Sequence, residues 1–320
     1  MRQSAGRRWF RTLTEEVLGP CENPCASCSD RFHCLNKKSA LQPTPALLWG
    51  CLALATAVPL LFTLNPKTFA RWYAGQSAEL MDREDVEVCF GELYEQIGLR
   101  RPDKVDVMIT DGVGPTCVGM DGPRGGVVLF PMELFALLNP ATEVQFEGVF
   151  KGPVGALSEA QRQALLEEGF LVPTRAQLQF IFGHELAHLK HRHTLENSKV
   201  GVLVALLTHF TLKVNNALAF RSRRFRFMEV RSTPVYAALV LGCAAAAVLA
   251  LSWDQELQAD ATSARRLHVE SEAILLKQDQ LRQSGALRRM GLVETLDLEH
   301  PPTELQLLNL KWLKDSVRKT

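Results

Sequence analysis

Two short motifs constrain what this chain can fold into: His184-Glu185-Leu186-Ala187-His188 and Glu256-Leu257-Gln258-Ala259-Asp260, which lie far apart with two apolar runs between them. On a helix, residues four apart share a face, so His184 and His188 can present two imidazole nitrogens to one metal ion while Glu185 projects beside them. Zinc in hydrolytic sites takes three protein ligands and leaves a position for water, so a third ligand must come from elsewhere. Glu256 is the best candidate, and Asp260, one helical turn later, can orient a ligating histidine by accepting its second ring N–H. Such a site acidifies water and polarises a carbonyl, with Glu185 placed to take the water's proton and deliver it to the leaving amine. The bland alternative is an amphipathic helix whose histidines face water, and it leaves Glu256 and Asp260 unexplained. Lys190, His191 and His193 read as a solvated face rather than as further ligands.

Because His184 and Glu256 must meet, the chain between them has to return to the side it left, which demands two membrane crossings or none. The run 232–253 is uncharged and long enough to span a hydrocarbon core. The run 200–220 carries Lys213, Asn215 and Asn216, so it is either a second span or a partly buried amphipathic helix. A third apolar run, 46–64, lies too far from the N-terminus for a signal peptide and reads as a transmembrane helix. The loop 221–231 holds Arg221, Arg223, Arg224, Arg226 and Arg231 against the single acid Glu229, so it belongs on the positive-inside face, with the peptidase-like part opposite. Arg2, Arg7, Arg8 and Arg11 precede the first acid, Glu15, which is either a targeting segment or a short basic tail. Read as targeting, it favours an organellar inner membrane, mitochondrial before plastid, with a bacterial inner membrane as the alternative.

The resulting division is a basic, Cys-rich segment 1–45, a span 46–64, a first peptidase part 76–196, a transmembrane hairpin 200–252 and a second peptidase part 253–320. Within 76–196 the pattern predicts a helix around Leu80–Leu99, then a strand pair, Val105–Ile109 and Val127–Phe130, joined as a hairpin by a broad Gly- and Pro-rich loop. A helix follows from a Ser158 cap to a Gly169 stop, and Thr174 with Gln177 forms a capping box for the helix that carries HELAH. The fold class is mainly α with a small β-sheet, α+β, plus about three transmembrane helices. Of the eight cysteines, Cys51, Cys89, Cys117 and Cys243 are placed like buried thiols. Cys21, Cys25, Cys28 and Cys34 are clustered closely enough to hold a second metal or an iron–sulfur centre; two local disulfides or plain thiols are the alternatives. The formal net charge of +1 supplies no global attraction to nucleic acid, and none is expected as a partner.

With these residues in view, GHELAHLKHRH, the later ExxxD and the stretch HPPTEL at 300–305 resemble the metallopeptidase family of HtpX and the CAAX prenyl protease, to which mitochondrial inner-membrane stress proteases also belong. The resemblance implies a gluzincin fold and a zinc cofactor. It also implies an edge strand that pairs with substrate backbone, placed at Gly126–Phe130, and His300 near the metal, helping to stabilise the oxyanion. Thr116, Cys117, Val118 and Gly119 stand where the family commonly has Asn-Ala-Phe, and Gln306 where it has arginine. The function expected is a zinc endopeptidase acting on membrane or membrane-adjacent proteins, with the lipid bilayer and a protein substrate as partners. The other class is a non-catalytic structural subunit or assembly factor of a larger membrane complex that keeps the zinc-binding fold.

Overall fold

The computed structural model describes residues 63–75, 78–111, 114–138, 141–146, 148–221, 226–289 and 300–317, with the backbone alone over 211–221 and 226–241 and at a few neighbouring positions. The cysteine cluster Cys21–Cys34 and nearly all of the apolar run 46–64 lie outside these residues.

The helix that carries HELAH is the centre of the molecule. It runs over Arg175–His191 (α5), and Thr174 caps it through the expected box: its side chain accepts from the Gln177 N–H while the Gln177 side chain accepts from the Thr174 N–H. Its apolar residues point in every direction, as in a helix packed on all sides. Leu178, Phe182, Leu186 and Leu189 enter one core cluster, and Phe180 enters a second. The first cluster joins α5 to a helix over Arg83–Ile97 (α2), with Phe90 stacked on Phe182 at a centroid distance of 3.8 Å and Phe130 edge-on to both.

The sheet beneath has four strands: β1 (Glu79–Leu80), β2 (Val105–Thr110), β3 (Thr116–Gly119) and β4 (Gly126–Pro131), in the order β1-β2-β4-β3. Two expectations are corrected here. The segments expected to form a hairpin, β2 and β4, pair in parallel with Val107 opposite Val128, and the antiparallel neighbour of β4 is β3, from within the stretch expected as a loop. Gly126–Phe130 is not an edge strand either. It is buried at every position, between β2 and β3, and a strand covered on both faces reads as an unbroken apolar run. The edge beside α5 is β3. The turn between β3 and β4 requires glycine at 125: φ is +77°, and a Cβ there would lie 2.0 Å from the Lys104 carbonyl oxygen. Asp121 then ties the turn down, its carboxylate accepting from the N–H groups of Arg100 and Arg101 and its own N–H donating to the Leu189 carbonyl at the end of α5.

An aromatic-rich helix over Pro66–Ala74 (α1) covers β4 through Ala70 and Ala74. Met132–Ala136 (α3), a small hairpin of β5 (Glu143–Phe146) and β6 (Phe150–Pro153), and α4 (Glu159–Glu167), capped by Ser158 in a second capping box, lead into α5. Beyond it, α6 (His193–Arg221) leads away and α7 (Arg226–Leu267) returns, the two packing against each other, and α7 then packs along α5. The runs 200–220 and 232–253 are helical within these two elements. Among the described residues no helix is long and apolar enough to cross a membrane. Cys243, expected to be buried, is exposed. Finally α8 (Glu270–Arg289) and α9 (Thr303–Val317) close the second core through Ala273, Leu276, Leu310 and Leu313.

Candidate metal centre

Close packing of α5 on α7 brings the two motifs together. Gly183, immediately before His184, lets the helices touch: a Cβ there would stand 2.5 Å from Leu267 Cδ1 and 2.7 Å from Ser263 Oγ. Ser263 is fully buried and donates to the Phe180 carbonyl, fixing the register in which Glu256 and Asp260 face the histidines.

Three candidate ligand residues converge, Glu256 through both carboxylate oxygens. His184 Nε2 lies 3.0 Å from His188 Nε2 and 3.3 Å from Glu256 Oε2, and His188 Nε2 lies 3.3 Å from Glu256 Oε1. One ligand atom from each of the three residues can be chosen so that all lie within 4.8 Å of one another, a group close enough to share one ion. Its electrostatics point the same way. Burial pushes the His184 pKa down, but hydrogen bonds to Asp260 and Glu256, and their charges, outweigh it and raise it to about 10. Burial likewise raises the Glu256 carboxyl, yet hydrogen bonds from His184, His188 and His300 hold it far below the usual carboxylate range. Without a metal, then, the cluster traps a proton where a cation fits.

The surrounding contacts set the ring orientations. His184 Nδ1 lies 2.8 Å from Asp260 Oδ1, the contact expected of that carboxylate, which leaves Nε2 facing the centre. Asp260 is fully buried; burial raises its pKa, but the Lys277 charge and the His184 hydrogen bond lower it on balance. Lys277 Nζ stands 3.9 Å from Asp260 Oδ2. His300 reaches the site as the HPPTEL resemblance implied, with Nδ1 2.8 Å from Glu256 Oε2 while half of its side chain stays exposed. Gln306 is buried and donates to the Pro301 carbonyl, so it braces the turn that presents His300.

Glu185 is buried beside the ligands, and the Cys117 thiol on β3 hydrogen-bonds to it. Burial, together with the Glu185 charge and that hydrogen bond, pushes the Cys117 thiol well up, so it stays protonated as a donor. The edge strand therefore lies directly against the candidate base.

The solvated face expected at Lys190, His191 and His193 is not found. Lys190 donates to the Ile97 carbonyl, His191 Nε2 lies 2.9 Å from Thr262 Oγ1, and His193 is 4% exposed. Burial and the neighbouring His188 lower the His193 pKa to about 4, so its ring is neutral. In the sequence the signal for this is the close spacing of His191 and His193 after His188, which keeps further imidazoles within reach of that ring.

The model of peptidase family M48 matches residues 84–304, a span that contains β2, β3, the HELAH helix, Glu256, Asp260 and His300. Comparison with curated proteins finds no match.

Proposed function

Since the chain belongs to peptidase family M48, we propose that it is a membrane-embedded zinc endopeptidase in which His184, His188 and Glu256 hold the ion and Glu185 is the general base. The observation that carries this reading is the convergence of His184, His188 and Glu256, whose facing ring nitrogens and carboxylate oxygens make contacts of 3.0–3.3 Å, with Glu185 buried beside them. Zinc bound there would supply Lewis-acid polarisation of the scissile carbonyl and a lowered pKa for water.

The chain's own groups do the rest. Glu185 takes a proton from water and returns it to the leaving amine, which turns a poor leaving group into a neutral one. Asp260 holds the His184 ring, and His300, half exposed on the open side of Glu256, is placed to donate to the oxyanion as the scissile carbonyl is attacked. The free edge of β3 offers backbone N–H and C=O groups along which an extended substrate strand can pair. That mode requires an unfolded or extended segment, which suits damaged or membrane-adjacent proteins.

Membrane placement rests on the uncharged run 46–64 and on the outward-and-return course of α6 and α7, with loop 221–231 on the positive-inside face and the metal centre opposite. The Arg-rich N-terminus favours a mitochondrial inner membrane. Incubating purified full-length protein with an unfolded casein-like substrate tests the activity: cleavage by wild type and loss of at least about 100-fold in Glu185→Gln is expected. Equal rates for the two would remove Glu185 from the reaction.

A further inference from the structure

The ligand His184 is oriented by Asp260, an arrangement the sequence already suggested. Among the described residues, none offers a carboxylate to the outer nitrogen of His188. That nitrogen, Nδ1, lies 2.8 Å from His193 Nδ1, and the far nitrogen of His193, Nε2, lies 3.0 Å from Gln258 Oε1. The Gln258 oxygen can only accept, so His193 Nε2 carries a proton; with one proton per ring, His193 Nδ1 then offers a lone pair. His188 is then placed to donate Nδ1–H to it, so that once a metal ion displaces the Nε2 proton the Nε2 lone pair is aimed at the centre beside Glu256.

The backbone bends to make this contact. Five residues along an unbroken helix, His193 would point well away from His188. Between α5 and α6, however, Arg192 adopts φ 59° and ψ 37°, a left-handed conformation that a residue with a Cβ takes only at a steric cost. The turn folds the His193 ring edge-on to His188 at a centroid distance of 4.7 Å and buries it. His191 makes a further packing contact, stacked on the same ring at a centroid distance of 5.5 Å.

We infer that His193 and Gln258 form a relay that fixes the tautomer and aim of His188, making His193 a positioning residue for the metal centre. The motif Glu256-Leu257-Gln258-Ala259-Asp260 would then serve all three ligands: Glu256 binds, Asp260 orients His184, and Gln258 orients His188 through His193. This rests on His184, His188 and Glu256 being the metal ligands. Outer partners of this kind are worth about 10- to 100-fold in metal affinity.

The test is zinc affinity by competition with a chromophoric chelator, on detergent-purified full-length protein, with no activity readout needed. His193→Leu should bind zinc about 10- to 100-fold more weakly. His193→Asn, whose amide oxygen sits where Nδ1 sat, should recover affinity to within a few-fold of wild type. Gln258→Leu changes an exposed position whose contact toward the centre, among the described residues, is with His193, and should weaken binding by several-fold without altering the melting of the metal-free protein. Wild-type affinity in a folded His193→Leu, an Asn variant as weak as Leu, or an unchanged Gln258→Leu would each overturn the relay. A wild type that takes up no zinc would instead overturn the ligand assignment on which it rests.

Discussion

At the level of single residues, the metal-free centre is a competition between a proton and a cation. His184 holds its proton up to about pH 10, well above the ordinary histidine value, because Asp260 and Glu256 face it. Zinc must displace that proton, so affinity should rise about tenfold per pH unit between pH 7 and 9, and zinc uptake in weak buffer should release about one proton per site. Calorimetry in buffers of different ionisation enthalpy measures this directly; a pH-independent affinity would contradict it. The same shift has a consequence for stability. A pKa raised on folding stabilises fully below the unfolded value, near 6.5, and the contribution is lost as pH climbs through the folded one. The Tm of metal-free protein should therefore fall from pH 6.5 towards 10, and a flat profile would show that His184 is not held as an imidazolium. His184, Glu185, His188, Glu256 and Asp260 were all legible in the sequence, since the chemistry dictates residue type and helical spacing. His193 was not, because its role depends on a left-handed turn at Arg192, and nothing in the residue type of an arginine announces that conformation.

At the level of elements, the site depends on how closely α5 and α7 approach, and Gly183 sets that distance. Gly183→Val would drive a branched side chain into Leu267 and Ser263, with an overpacking cost of about 1–3 kcal/mol. Because the strained contact lies directly beneath the metal centre, zinc affinity should drop together with Tm; a fall in Tm at wild-type affinity would mean the two helices yield elsewhere. Helices were the easiest part to read: the capping boxes at Ser158 and Thr174 appear where their sequence signals stand. The sheet was harder. Val127, Val128, Leu129 and Phe130 announce a strand, but strand order is set by long-range pairing, and the parallel partnership of β2 with β4 has no local signature. Four-residue β3 was masked by the glycines and prolines around it, although one of those glycines, Gly125, is what permits the turn that places β3 at the edge.

At the scale of the whole chain, one candidate metal centre is built from two stretches separated by a long helical excursion. Helices of 29 and 42 residues, about 44 and 63 Å long at 1.5 Å per residue, carry the chain away from α5 and back. The demand that His184 and Glu256 meet was enough to predict a return; the membrane topology proposed for those helices can be measured separately. A single cysteine placed in loop 221–231 of a protein stripped of its native thiols should be labelled from the positive-inside face, and one placed near Arg124 only from the opposite face. Labelling of both from one side would sink the two-crossing topology. The central claim, that His184, His188 and Glu256 together hold one metal ion while Glu185 does not, is tested most directly by metal analysis of wild type, Glu185→Gln and Glu256→Ala purified in parallel. One equivalent of zinc in the first two and clearly less in the third is the expected result; a full equivalent in Glu256→Ala would contradict it.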